Sequence, residues 1–438
     1  MKQLIFLLSL LFLTYESYSQ DFDVNKLDSL ISKIEKFDKG MGCLSIFHNG
    51  KEIYHRAYGF ENIEKGIHAT EKTKYCIGSI TKTFTAVIIM QLIEENKLSL
   101  DTKLSNFFPE IPNSEAISIE QLLRHRSGLF NYTNSPDFHS WNDTIRTKSE
   151  ILEKFIKNGN VFKPNEKSQY CNTNYVLLSF IAQQIEKKDY SEILAERITK
   201  PLKLNSTYFG NNPETENNEA LPHFKYETWE MRSNSNLIIY DGAGAIVSNP
   251  TELNIFFNAL FKGELVSDKS LNKMITIIDD YGIGMYEMPF YERTSIGHAG
   301  DVNGFQSVSE YFPEDSMIFS FISNGTGMDR NELLTGVLSI YFGKEYDIPE
   351  FSTYKVNSDD LNQYVGTYSS PDSPFKLTIS KDRNILLCQA TGQGAFPLEA
   401  FDKNKFRFTQ AALEIEFFPD EEKLILIQGG EEVFYKEK

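Results

Sequence analysis

The stretch Gly78-Ser79-Ile80-Thr81-Lys82-Thr83-Phe84-Thr85-Ala86-Val87-Ile88-Ile89-Met90-Gln91-Leu92-Ile93 decides how the rest of the chain is read. It predicts one helix from Ser79 to about Asn96, and Phe84, Ala86 to Met90, Leu92 and Ile93 leave that helix almost no polar face. In a chain of globular composition, a helix apolar nearly all round is a buried central one. Ser79 and Lys82 stand three apart at its start, so they share a face with Cβ atoms roughly 5–6 Å apart. A serine hydroxyl is a poor nucleophile unless a base lies within hydrogen-bond reach. A lysine one turn along becomes that base if burial depresses its pKa, and the helix N-terminus favours the negative charge that develops. Gly78 permits a tight turn just before the serine. Ser270/Lys273, Ser352/Lys355 and Ser373/Lys376 repeat the spacing without this context, so the pattern carries weight only at Ser79.

Working outward, Leu27, Leu30, Ile31, Ile34 and Phe37 recur at helical spacing until Gly40 stops the run. Cys43–Phe47 and Ile53–Tyr58 then flank Asn49-Gly50, the strongest short hairpin signal. Downstream of the central helix, helical patterns cover Ile117–Leu123, Lys148–Lys157, Asn174–Glu186 and Pro250–Phe261. Strands return at Gln306–Tyr311 and Met317–Ser323 around Pro313-Glu314-Asp315, and Asn331–Phe342 reads as a closing helix. The order predicts an α/β (α+β) fold over residues 20–345: an antiparallel sheet built from both ends of the segment, flanked by helices, with an all-helical subdomain between. Tyr346–Tyr354 contains Pro349 and no periodicity, which places a linker there. Beyond it, residues 355–438 read as a small C-terminal antiparallel β domain, with short strands at Phe375–Ser380, Ile385–Gln389, Lys405–Phe408, Leu413–Phe418, Leu424–Gln428 and Val433–Lys436.

Composition bounds the function. The 438 residues carry a net charge of −17, with no basic cluster, which argues against a nucleic-acid partner because phosphate neutralisation needs a basic face. Four cysteines make no disulfide scaffold, and the seven histidines form no metal-ligand ladder, so no metal or other cofactor is expected. Met1-Lys2, the apolar run Leu4–Leu13 and the small residues Ser17 and Ser19 read as a cleaved signal peptide over 1–19. No later stretch approaches the ~18 apolar residues of a membrane span, so the mature protein is expected to be secreted or periplasmic.

Two more motifs carry chemistry. In Tyr170-Cys171-Asn172 a polar loop opens into a helix. A tyrosine phenol can relay a proton to a leaving group, and an asparagine amide can donate and accept toward a substrate; Asn172 or Asn174 could equally cap the helix. In Gly297-His298-Ala299-Gly300-Asp301 glycines just before a strand allow close backbone approach. A strand-edge N–H there could complete an oxyanion hole with the N–H of Ser79, while His298 supplies a hydrogen bond or, when protonated, a positive charge.

In the order Ser-x-x-Lys, Tyr-x-Asn, His-x-Gly, these motifs resemble the serine β-lactamase-like superfamily, in its class C β-lactamase, DD-peptidase and esterase branch. Gln121-Leu122-Leu123-Arg124-His125-Arg126-Ser127-Gly128-Leu129 and Gly242-Ala243-Gly244-Ala245-Ile246-Val247-Ser248 look like that branch too, and the likeness covers about residues 27–343. The resemblance implies Ser79 as acylated nucleophile, Lys82 as its base, Tyr170 as proton relay, Asn172 as substrate-amide contact and His298 at the third motif. The N–H groups of Ser79 and Asp301 would form the oxyanion hole, with Gly300 letting the strand approach. The C-terminal β domain is similar to an appendage often carried by such proteins.

Efficient β-lactamases of the branch usually carry lysine at the third motif, where this chain has His298, and Asp301 adds negative charge beside it. Both features lower the expectation of β-lactam hydrolysis. Cys76 and Cys171 flank the motifs and are expected near the site, as buried thiols or bridged. The expected activity is hydrolysis of an amide or ester bond in a small-molecule or short-peptide substrate through a Ser79 acyl-enzyme, peptidase- or amidase-like. A carboxylesterase on small acyl esters and a non-catalytic binding protein that keeps the fold are the alternatives. Oligomeric state has no sequence signal.

Overall fold

The computed structural model describes residues 22–438 apart from 143, 145, 211–212, 214, 226–227, 232–235, 352–353, 355, 409–410, 412, 429–430 and 438. The expected signal segment lies outside the described residues. Helix α1 (Val24–Lys36) begins at Asp23, whose carboxylate accepts the Lys26 N–H at 2.9 Å. It ends at Phe37, and the left-handed Asp38 (φ 56°) turns the chain into strand β1 (Gly40–His48). The stop therefore precedes Gly40, which opens the strand rather than closing the helix. Asn49 (φ 52°) and Gly50 (φ 75°) form the tight turn into β2 (Lys51–Tyr58). Both positions are left-handed, as a twisted two-residue hairpin requires.

The central helix α2 (Thr81–Glu94) starts two residues later than the periodicity predicts, after a 3₁₀ turn over Gly78–Ile80 that holds Ser79. Every residue from Thr81 to Met90 is buried, Lys82 included. Between α2 and α4 (Pro250–Phe261) lie the helices Ile119–Leu123, Lys148–Asn158, α3 (Asn172–Glu186) and Tyr190–Leu194, but the stretch is not all-helical as expected, because short strands at Tyr208–Phe209, His223–Lys225, Trp229–Met231 and Ile246–Ser248 pair within it or with Tyr75–Cys76. Side-chain capping boxes at Ser118/Gln121 and Thr147/Glu150 start the first two. Neither candidate asparagine caps α3. Its N-cap is Cys171, Asn172 is already helical, and the buried Asn174 accepts the Ser127 hydroxyl at 2.6 Å.

Strands β3 (Tyr286–Phe290), β4 (Arg293–Val302), β5 (Phe305–Phe312) and β6 (Met317–Thr326) complete a six-stranded sheet of order β3-β4-β5-β6-β1-β2, antiparallel throughout. The segment's two ends thus meet in the centre of one sheet, at the β6–β1 pair. Helices α1 and α5 (Arg330–Tyr341) cover one face through Leu30, Ile34, Leu44, Phe319 and Val337. Helices α2 and α4 cover the other, where the Phe84 ring stacks on Phe256 at 3.7 Å.

Eight strands from Gly366–Ser369 to Glu431–Glu437 form a closed C-terminal barrel around Tyr368, Leu386, Phe406, Phe417 and Leu424. Six follow the alternation in the sequence. The strands Gly366–Ser369 and Phe396–Asp402 escape the sequence reading, the first being only four residues long and the second holding Pro397, which argues against a strand, yet without them the sheet would keep open edges. The barrel is tied back by the Lys39–Glu399 ion pair and by Arg407, which donates to the Glu350 carbonyl at 2.5 Å. Among the described residues no helix is long and apolar enough to cross a membrane.

Phe84→Ala removes one of two stacked, fully buried rings beneath the Ser79 turn. It should cost roughly 3–5 kcal/mol, the range for emptying a large aromatic site, read as a lower midpoint in urea unfolding with unchanged slope.

Candidate active site

Lys82 is the second residue of α2 and has no solvent exposure, and its Nζ lies 3.0 Å from Ser79 Oγ. Two further acceptors surround it: Asn172 Oδ1 at 2.8 Å and the Ala243 carbonyl at 2.7 Å. Burial holds its pKa well below the ordinary lysine value. As the neutral amine it has two N–H groups for Asn172 and Ala243, which leaves its lone pair facing the Ser79 hydroxyl. The Tyr170 hydroxyl donates to the same Ser79 Oγ at 2.5 Å. Burial pushes the Tyr170 phenol well above its usual value, so it stays protonated and acts as donor. Ser79 is therefore held between one acceptor and one donor, the arrangement that can take its proton and pass one onward.

The Ala243 carbonyl has no side chain to advertise it. It is aimed by the neighbouring backbone: buried Asp241 stands at φ 35°, ψ −129°, its Oδ1 accepts the Gly242 N–H at 2.8 Å, and the Thr85 hydroxyl donates to the Gly242 carbonyl at 2.7 Å. Burial pushes the Asp241 carboxyl up to about 6. Gly242 is the close approach in this stretch, since a Cβ there would stand 2.5 Å from Ser179 Cβ. The Gly242–Ser248 pattern pointed to this segment, but not to a carbonyl ligand for lysine.

Tyr170 is held by the Gln121–Leu129 segment. The His125 ring lies 4.7 Å from the Tyr170 ring, and its Nδ1 accepts the Cys171 N–H at 3.1 Å. Burial holds this imidazole's pKa well below the usual value and so favours its neutral form. Buried Arg124 donates to the carbonyls of Thr276 (2.7 Å) and Lys273 (2.9 Å), bracing the loop that brings Tyr281 to the cavity. Asn172 is fixed from three sides: its N–H donates to Asn131 Oδ1 at 3.1 Å, its amide nitrogen to Thr133 at 3.1 Å, and its carbonyl accepts from Lys82. One amide N–H is left for a ligand.

Strand β4 passes close to the Ser79 turn. A Cβ on Gly300 would stand 2.1 Å from the Ile77 carbonyl and 2.9 Å from Ser79 N, and one on Gly78 (φ 51°) 3.0 Å from Asp301 N. Pairing with β3 ends at Gly297, so His298–Val302 run past their neighbour with that edge uncovered. The Ala299 N–H points outward to the Tyr286 hydroxyl at 3.0 Å, and strand alternation sends the Asp301 N–H the same way.

The sequence left His298 two roles, and the structure favours the hydrogen-bonding one: burial lowers its pKa to about 3, and its Nδ1 meets the Ala299 carbonyl at 2.5 Å. The negative charge expected at Asp301 is paired, its carboxylate accepting from Arg330 at 2.9 Å. Arg330, the first residue of α5, escaped the sequence reading because nothing local marks it as facing β4. Ser79, Tyr170, Asn172, Tyr281, Tyr286, His298, Asp301 and Arg330 are among the residues around one cavity of about 680 Å³. Cys76 and Cys171 are buried free thiols and do not line it.

The Beta-lactamase family model matches residues 33–341, and the chain belongs to that family. A teichoic acid D-alanine hydrolase of Staphylococcus aureus is 28% identical over 288 residues, covering 64% of this chain and 71% of that protein. The crystal structure of a D-amino acid amidase from Ochrobactrum anthropi SV3 superposes with a TM-score of 0.66 at 24% identity, over 73% of this chain and 98% of its own. An octameric penicillin-binding protein homologue from Pyrococcus abyssi reaches a TM-score of 0.67 at 24% identity over 94% of this chain and all of its own, so the likeness of fold extends into the barrel. This protein is thus an enzyme of the β-lactamase-related hydrolases, with a β-lactamase fold and a C-terminal barrel.

Gly300→Ala should push β4 off the Ser79 turn. The clash should cost about 1–3 kcal/mol of stability, while kcat/KM falls by about 10²-fold or more, the scale of losing an oxyanion donor; circular dichroism and steady-state kinetics separate the two. The reactivity of the Ser79 hydroxyl should rise with pH as Lys82 loses its proton, with a midpoint well below the free-lysine value. His298→Gln should change the amplitude of that profile without moving the midpoint, since His298 stays neutral down to about pH 3.

Proposed function

We propose that this chain is an extracytoplasmic serine hydrolase that cleaves a small acyl ester or amide through a Ser79 acyl-enzyme. The observation that carries the reading is the closed contact of Ser79 Oγ with Lys82 Nζ at 3.0 Å and the Tyr170 hydroxyl at 2.5 Å, on the wall of a cavity large enough for a small substrate.

In this reading the neutral Lys82 amine accepts the Ser79 proton as Oγ attacks the carbonyl carbon. The oxyanion of the tetrahedral intermediate takes the N–H groups of Ser79 and Asp301, with the turn at Gly78–Ile80 adding positive potential. Tyr170 gives its proton to the leaving oxygen or nitrogen and is reprotonated from the Lys82 ammonium, so the proton taken from Ser79 leaves with the departing group. The acyl-enzyme is released by water along the same path in reverse, and Asn172 offers its remaining amide N–H to the acyl group. The family likeness supports hydrolysis. The likeness to a teichoic acid D-alanine hydrolase and a D-amino acid amidase supports an aminoacyl ester or amide as the first substrate to try. The 1–19 segment supports export.

A fluorophosphonate should add its phosphonyl mass to the mature protein, map to Ser79, and fail on Ser79→Ala. Lys82→Arg should lose labelling by about 10²-fold or more, because a guanidinium stays protonated and cannot accept the proton. Labelling that maps elsewhere overturns the assignment of the nucleophile, and an active Lys82→Arg moves the base to Tyr170.

A further inference from the structure

We infer that Asp301 sets the charge of the accepted substrate by occupying Arg330, so that the site excludes substrates bearing a carboxylate beside the scissile bond. The inference rests on the hydrolase reading above and extends it to substrate class.

Among the described residues lining the cavity, Arg330 is the one with a permanent positive charge. His298 is neutral at any physiological pH. Lys82 donates to Asn172 and Ala243 and is itself held toward the neutral form. A substrate carboxylate entering the cavity would therefore look to Arg330. That guanidinium already donates to Asp301 Oδ2 at 2.9 Å and lies 3.5 Å from the Gly300 carbonyl, while its buried Nε has no hydrogen-bond partner. The carboxylate that engages it belongs to Asp301, whose backbone N lies against the Gly78–Ser79 turn, so the ion pair sits on the cavity wall near Ser79. Asp280 and Glu287 face the same cavity and add two more negative charges. A substrate carboxylate reaching this guanidinium, of which Asp301 engages Nη1, would sit against Asp301, and juxtaposed like charges are disfavoured. Neutral and cationic acyl groups meet no such penalty. The chain can thus share a fold with penicillin-recognising proteins while discriminating against carboxylate ligands.

The test uses two phenyl esters of one acylated glycine, identical except for a meta-carboxylate on the leaving phenol of the second. The full-length mature protein, Asp301→Asn, Arg330→Ala and the double variant are compared by the ratio of kcat/KM for the neutral to the carboxylate ester. General damage around Ser79 lowers both esters together and leaves the ratio in place. Wild type should favour the neutral ester by about tenfold or more, the scale of an unfavourable charge contact in a partly screened site. Asp301→Asn should collapse that ratio, and adding Arg330→Ala should restore it, because the freed guanidinium is what admits the carboxylate. An unchanged ratio in Asp301→Asn, or a collapse that persists without Arg330, overturns the inference while leaving the hydrolase reading intact. No turnover of either ester by wild type overturns both.

Discussion

An amine buried without solvent near the start of a helix that is apolar nearly all round is the constraint on which the rest of this structure depends. Desolvating an ammonium is expensive, and a lysine cannot snorkel to water from a position enclosed on every side. Burial instead drives Lys82 toward the neutral amine, which is satisfied by what the fold brings to it. One acceptor comes from the start of α3, as Asn172, and one from a strained backbone turn, as the Ala243 carbonyl; the remaining contact is Ser79 in the turn that leads into α2. Three separated pieces of chain must therefore assemble around one nitrogen, and the helical subdomain is the device that delivers two of them.

The strain at Asp241 belongs to this scheme. A non-glycine residue at φ 35° with a buried carboxylate is unfavourable in isolation. It persists because Gly242 N–H, Thr85 and the tight packing of Gly242 on Ser179 over-determine the turn. The same logic places β4: Gly300 and Gly78 are small because backbone must meet backbone there, and any Cβ would separate Asp301 N–H from the Ser79 turn. Stability has been given up at these points in exchange for a serine held between an acceptor and a donor.

Much of this was legible in the sequence. An almost continuous apolar run after Ser79 foretold both the central helix and a lysine with nowhere to go. Asn49-Gly50 foretold the hairpin that begins the sheet, and the alternation beyond residue 375 most of the barrel. Tyr170, Asn172 and His298 could be named because side chains that carry chemistry stand in recognisable local patterns, and the structure brings them to one cavity with Ser79. What escaped depends on long-range approach. A carbonyl such as Ala243 has no residue-type signature. Arg330 reads as an ordinary helix start until α5 is seen to begin against β4. The neutrality of His298 follows from enclosure, which no short motif encodes. Closure of the barrel needed Gly366–Ser369, only four residues long, and Phe396–Asp402, which carries Pro397, and only pairing across the whole circuit defines them.

The central claim is that Lys82 is a neutral amine in the resting protein, and it can be measured without any substrate. Protein labelled with ¹³C-lysine would be titrated by NMR, with the Cε resonance of Lys82 assigned by its loss in Lys82→Arg. The account predicts a transition well below the free-lysine value, shifting upward when Asn172→Leu removes one acceptor only if that change also admits water. A Lys82 resonance that titrates with the exposed lysines would contradict it, and would leave Ser79 without its base.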